Sequence, residues 1–275
     1  MLTVEVLKEN QTVSEEPRRF GKNNRIEILD FLRGSAMVYV MLYHLLYDID
    51  TFLDINIPFL YGRTFEFIHQ IFLFLLFIVS GICTSFSRNI IKRGAEIFFI
   101  GSGLTIFTDL FLPDYVIVFG VLTFFGIMMM LCGIFRPLLD KMSICSSAAA
   151  AVICLILYSM LYRFDNGGEI NLFFTKITVD LPTDRLYLYP IGIKFNGFES
   201  ADYFPVIPNG FIFLAGAFLS KIVAERRLPK FFYSKIRLPV INFLGRYSLI
   251  VYIVHQPILL AAVFLFKGFF YGKLN

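Results

Sequence analysis

The chain of 275 residues has no tryptophan, only four cysteines and few charges, with Asp, Glu, Lys and Arg making up 17% of it. A soluble domain carries about 25%. With 57% hydrophobic residues, that scarcity of charge excludes an ordinary water-soluble enzyme. The 25 Lys and Arg nearly balance the 21 Asp and Glu, for a net charge of +4, which does not point to a nucleic-acid binder. The missing Trp leaves Tyr and Phe as the interfacial anchors. Cys83, Cys132, Cys145 and Cys154 all fall in apolar stretches; without CxxC or Cys/His spacing they read as small packing residues and give no metal or redox motif. No Walker loop, HExxH, GxSxG or DxDxDG occurs, nor any internal repeat or low-complexity tract, and no metal is expected. No cleavable secretory signal is legible, and the first apolar run, from about residue 31, is expected to stay as a signal anchor.

What is present is long uncharged sequence. A bilayer core about 30 Å thick needs about 20 helical residues. Five runs free of Asp, Glu, Lys and Arg approach or reach that length: 67–87, 115–135, 142–162, 203–220 and 247–266. Two more, 29–49 and 94–113, carry Asp30, Arg33 and Asp48, and Glu96 and Asp109. The sequence therefore predicts an all-α integral membrane protein, a bundle of about seven transmembrane helices. Alternate connecting segments hold 18 and 7 of the 25 Lys and Arg, which places the N-terminus in the cytoplasm and the C-terminus outside. Residues 1–24 read as a flexible cytoplasmic tail, 25–267 as the membrane domain and 268–275 as a short external tail. One long external segment, 163–202, has turn signals at Asp165-Asn166-Gly167-Gly168 and Asn196-Gly197 and a strand expected at 173–179. At that length it is expected to cap something.

Ionisable groups inside such helices are costly, so they default to functional candidates. On the first helix Asp30, Arg33, His44 and Asp48 fall within an arc of about 60° at 100° per residue. This polar stripe must face protein or a watery cavity. Arg33 and His44 are about 16 Å apart along the axis, which puts Asp30 and Arg33 at the cytoplasmic mouth and His44 and Asp48 in the outer half. The i,i+4 spacing lets Asp48 touch and orient His44. The second helix opens with Glu66, His69 and Gln70, at the depth of the same vestibule. The last carries His255-Gln256-Pro257 near the bilayer midplane, on one face with Ser248 and Tyr252. The plainer readings are a helix–helix staple for Asp30, Arg33 and His44 with Asp48, a solvated interfacial cap for His69, and a packing hydrogen bond for His255. Gly101-Ser102-Gly103 is expected to permit close helix packing.

Several of these residues fall into a known pattern. Arg25-Ile26-Glu27-Ile28-Leu29-Asp30-Phe31-Leu32-Arg33-Gly34, followed by Met41-Leu42-Tyr43-His44 and Tyr47-Asp48, resembles the opening of the heparan-alpha-glucosaminide N-acetyltransferase catalytic-domain family. The stretch 74–81, Phe119-Gly120-Val121-Leu122 and Asp202-Tyr203-Phe204-Pro205-Val206-Ile207-Pro208 are similar to that family's later signatures. Leu244-Gly245-Arg246-Tyr247-Ser248-Leu249 with Tyr252, His255, Gln256 and Pro257 is shared with membrane acyltransferases more widely. The resemblance covers about residues 25–260. Thr123 stands where relatives often have histidine, and Asn209 where they often have tryptophan.

The resemblance implies a membrane acetyl- or acyltransferase, and a bacterial plasma (inner) membrane is its expected location. It would pass an acyl group from cytosolic acetyl-CoA or another acyl-CoA to a sugar amine or hydroxyl, such as a glycan or amino sugar, on the far side. Partners are then the lipid bilayer, acyl-CoA and the acceptor, with a homodimer left open. In that reading His44 and Asp48 are catalytic, with His44 as general base or acyl carrier. Asp30, Arg33, His69, Gln70, Asp202 and His255 support or position. Arg33, Arg88, Arg93 and Arg246, with Lys92, Arg226 and Arg227, hold the CoA phosphates. Asp202 and the external segment cover the acceptor and limit water. A transporter or flippase using the same stripe, and a scaffold or receptor in which the stripe only staples helices, are the alternatives from other classes.

Overall fold

Each apolar run of the sequence yields one helix in the computed structural model, which describes residues 26–270 except 54, 166, 167, 173, 174, 184, 234, 235 and 237. The tail 1–24, Arg25, residues 271–275 and the basic residues Lys235 and Arg237 lie outside the described residues. In chain order the elements are α1 (Glu27–Leu53), α2 (Arg63–Thr84), α3 (Ile90–Phe111), α4 (Val121–Ile134), α5 (Arg136–Lys141) and α6 (Ile144–Leu161). A hairpin of β1 (Glu169–Leu172) and β2 (Thr175–Thr178) follows, then α7 (Val206–Ala224), α8 (Pro239–Arg246) and α9 (Ser248–Phe270). Six of these, α1, α2, α3, α6, α7 and α9, are long and apolar enough to cross a membrane among the described residues. The run at 115–135 differs: a 3-10 turn at Pro113–Tyr115 and an extended stretch precede α4, which has 14 residues and covers about 21 Å.

A short helix is tolerated because α4 faces protein rather than lipid. Val121, Leu122, Phe124, Met128, Met129 and Cys132 are buried, and Phe124 packs against Phe77 of α2 and Phe213 of α7 at ring distances of 5.0 and 6.2 Å. Helices in lipid gain little from apolar burial against one another, so close approach depends on small residues. A Cβ on Gly81 of α2 would lie 2.0 Å from the Phe213 carbonyl oxygen, and one on Gly216 of α7 would lie 2.1 Å from that of Ile78. The same device seats α8 on α1, where Cβ atoms on Gly34 and Gly245 would strike the carbonyls of Ile241 and Asp30. Of the glycines expected to allow packing in α3, Gly101 does so, against Thr123, whereas Gly103 has nothing within 4 Å. α6 is capped by Ser143, whose Oγ accepts from the Ser146 N–H at 3.1 Å. Ser143→Ala should cost about 1 kcal/mol, read as a modest fall in thermal stability in detergent.

The segment between α6 and α7 forms a cap. The hairpin pairs Glu169 with Thr178 through Leu172 with Thr175, so β2 falls within the expected strand while β1 lies before it. Lys194 bridges to Asp165 at 3.6 Å and lies over the Tyr203 ring, whose hydroxyl donates to the Tyr189 carbonyl. The end of the cap is strapped to the stretch before α4. Ser200 Oγ accepts from the Val118 N–H, the Ala201 N–H donates to the Val116 carbonyl, and the Phe204 N–H donates to that of Phe119.

Candidate active site

The chain has three histidines, on three different helices, and the fold brings all three together. The His44 ring of α1 lies 5.1 Å from that of His255 on α9. Tyr43 stands edge-on to His44 at 5.4 Å and lies 4.4 Å from His69 of α2. The Tyr39 hydroxyl meets His69 Nδ1 at 3.3 Å. Gln70, next along α2, is half-buried and enters none of these contacts.

Asp48, 1% exposed, is one turn beyond His44, but its carboxylate points elsewhere. Both of its oxygens accept from the Gln256 side-chain amide of α9, at 3.0 and 3.2 Å. The expected contact of Asp48 with His44 is not among the described contacts. Helical spacing places the two side chains side by side, and the α9 amide draws the carboxylate across the helix interface. What the sequence reading left out is therefore Gln256 as the partner of Asp48. A neutral amide drops out of a search for ionisable groups, although its place beside His255 was a signal.

His255 is 6% exposed, and its Nδ1 lies 2.6 Å from the Tyr252 carbonyl oxygen. Only an Nδ1–H can make that contact, so in the neutral imidazole Nε2 carries the lone pair. Nε2 is buried without a partner, as is the Gln256 side-chain oxygen. Of these two buried acceptors, the one on His255 lies on the ring beside His44.

Asp202 comes from the cap. Its Oδ2 accepts from the Tyr252 hydroxyl at 3.1 Å and from the Val121 N–H, the first amide of α4, at 3.2 Å. Burial pushes its carboxyl above the usual carboxylate range, and these two hydrogen bonds oppose that shift. Gly120 leaves room for the carboxylate, since a Cβ there would lie 2.9 Å from Oδ2.

A cavity of about 160 Å³ reaches from the end of the bundle where α1 starts to Val121 and Tyr252, and none of the three histidines lines it. Its wall runs from Arg33, Ser87 and Arg93 past Met37 and Ser80 to Val121 and Tyr252. Met37 is two turns before His44 on the same face of α1, and Tyr252 is one turn before His255. Arg33 Nε is buried without a hydrogen-bond partner, while Arg93 donates to Ser87 Oγ at 3.3 Å. Asp30 is buried beneath α8. Arg88 does not line this cavity; it lines a neighbouring basic depression with Lys92 and Arg136. Arg246 is exposed at the end of α8, just before the cavity-lining Ser248 and Leu249. Thr123 packs on Gly101 of α3, at the α3–α4 seam. Among the described residues no three His, Cys, Asp or Glu side chains are grouped so as to hold a metal ion.

A family model described as heparan-alpha-glucosaminide N-acetyltransferase, catalytic, matches residues 25–257. No curated protein and no solved structure matches the chain.

Proposed function

The chain belongs to the heparan-alpha-glucosaminide N-acetyltransferase catalytic family, a family of membrane acyltransferases, and on that premise we propose that it moves an acetyl group from cytosolic acetyl-CoA to an amine or hydroxyl of a sugar on the outer face of a plasma membrane. The observation that carries this reading is the cavity that starts at Arg33 and Arg93 and ends at Tyr252, one turn from the paired imidazoles of His44 and His255. A thioester on a long polar arm suits such a channel. The arm occupies the bundle interior, and the charged nucleotide stays at the basic mouth formed by Arg33, Arg93 and Arg246, with Arg88 and Lys92 beside it.

In this mechanism His44 accepts the acceptor's proton as the amine or hydroxyl attacks the thioester carbonyl carbon. The new C–N or C–O bond forms, the carbonyl π electrons move to oxygen, and their return expels the CoA thiolate. The proton held by the imidazole then reaches that sulfur, so the products are the acetylated sugar and CoA thiol. His255 serves as a positioning residue, because its free Nε2 can accept from the protonated His44. Asp48 and Gln256 lock α1 to α9 and fix the separation of the two rings. The cap and Asp202 keep water from the thioester, and Tyr39, Tyr43 and His69 form the wall that the acceptor meets.

The test uses the full chain in vesicles of known orientation, with radiolabelled acetyl-CoA on the N-terminal side and amino sugars opposite. Label is expected in the opposed sugar. Label that moves only when both substrates share a side would overturn the transmembrane part of the proposal. Uptake of the sugar without acetylation would instead favour a transporter.

A further inference from the structure

Two hydrogen-bond donors from different helices converge on one oxygen at the deep end of the cavity. They are the Tyr252 hydroxyl of α9, 3.1 Å away, and the Val121 N–H of α4, 3.2 Å away, and the oxygen they hold is Asp202 Oδ2. Both donors belong to residues that line the cavity, whereas Asp202 arrives from the cap. We infer that Tyr252 and the Val121 N–H are the oxyanion-stabilising pair of the acyl transfer, and that Asp202 is a tethered carboxylate which the thioester oxygen displaces. The inference rests on the acyltransferase reading above and assigns two catalytic groups within it.

Three further features fit. First, the backbone presenting Val121 is held in an unfavourable shape. Phe119 has φ 59°, in the left-handed region that bulky residues avoid, and its carbonyl is pinned by the Phe204 N–H. Strain of this kind clusters where a chain must present a group at a fixed position. Second, residue 120 is glycine, so an oxygen can approach the amide of Val121 at all. Third, the Tyr252 ring lies 5.2 Å from that of His255, whose buried Nε2 has no partner. An oxygen held by the pair therefore has the His255 imidazole on its flank.

The chemistry balances. As the acceptor attacks, negative charge grows on the former carbonyl oxygen, and the two donors share it without giving up a proton. When the C=O bond re-forms and the C–S bond breaks, the electrons leave with sulfur. Preorganised donors of this kind act on the transition state far more than on the bound thioester.

Tyr252→Phe keeps the ring and removes the hydroxyl. It should lower kcat by about 10²–10³-fold with little change in KM for acetyl-CoA. Asp202→Asn weakens the competing carboxylate and should tighten acetyl-CoA binding several-fold. A readout free of turnover is the infrared carbonyl stretch of bound ¹³C-acetyl-CoA, displaced to lower frequency in the wild-type protein and reverting in Tyr252→Phe. Binding with no such displacement, or a Tyr252→Phe kcat within tenfold of wild type, overturns the inference and leaves the acyltransferase reading standing. Failure of the wild-type chain to bind acetyl-CoA overturns both.

Discussion

Replacing His44 with alanine should lower acetyl transfer by about 10²–10⁴-fold, the usual contribution of a general base, while leaving the affinity for acetyl-CoA close to that of the wild type. The split follows from the geometry. The donor cavity is lined by Arg33, Arg93 and Tyr252 but not by His44, so the binding arm loses nothing when the imidazole goes. The crossing of α1 and α9 also survives, because Asp48 and Gln256 hold it through two hydrogen bonds that do not involve His44. Thermal unfolding of the variant should therefore overlay that of the wild type. His69→Ala is the comparison: His69 bonds to Tyr39 and flanks Tyr43, away from the cavity, so its loss should act on the acceptor's KM rather than on kcat. A His44→Ala protein that still transfers within tenfold of wild type would move the proton acceptor to His255. Loss of acetyl-CoA binding in the same variant would show that the cavity and the imidazoles are not separable.

The largest effect on folding is expected at the crossing of α2 and α7. Gly81→Ala would place a methyl group 2.0 Å from a backbone carbonyl oxygen of α7, and Gly216→Ala 2.1 Å from one of α2. Side-chain overpacking costs about 1–3 kcal/mol because rotamers can adjust. Here the obstacle is main chain on a facing helix, so the helices themselves must part. That separation would open the core around Phe77 and Phe213, both among the most deeply buried residues. Gly81→Ala should fail to survive extraction as a monodisperse species. Gly103→Ala, with nothing within 4 Å of the added carbon, should behave as the wild type. Equal behaviour of the two variants on size exclusion and thermal unfolding would refute the argument.

Much of the fold was legible because lipid imposes a length on any helix that crosses it. The uncharged runs fall on the helices of the structure to within a few residues at most ends. The run at 115–135 shows where that logic stops, because composition counts apolar residues but does not register a turn. Its first six residues leave the helix to meet the cap, and the α4 that remains starts at Val121. The polar stripe on α1 was equally legible, since a fixed angle per residue decides which side chains share a face. What spacing along one helix could not supply was the partner across the interface. It put Asp48 beside His44, and only the docking of α9 decides that Gln256 takes the carboxylate. Arg88 and Arg93 likewise sit only five residues apart, yet Arg93 lines the main cavity and Arg88 the depression next to it.

The gathering of all three histidines at one place also makes the chain its own reporter. Its imidazole resonances, and every site open to a histidine-selective reagent, originate within this cluster, with no background from elsewhere in the sequence. A histidine-labelled sample would give three signals, each tied to a separate helix. Donor and acceptor could then be added in turn, and their arrival followed by chemical shift alone.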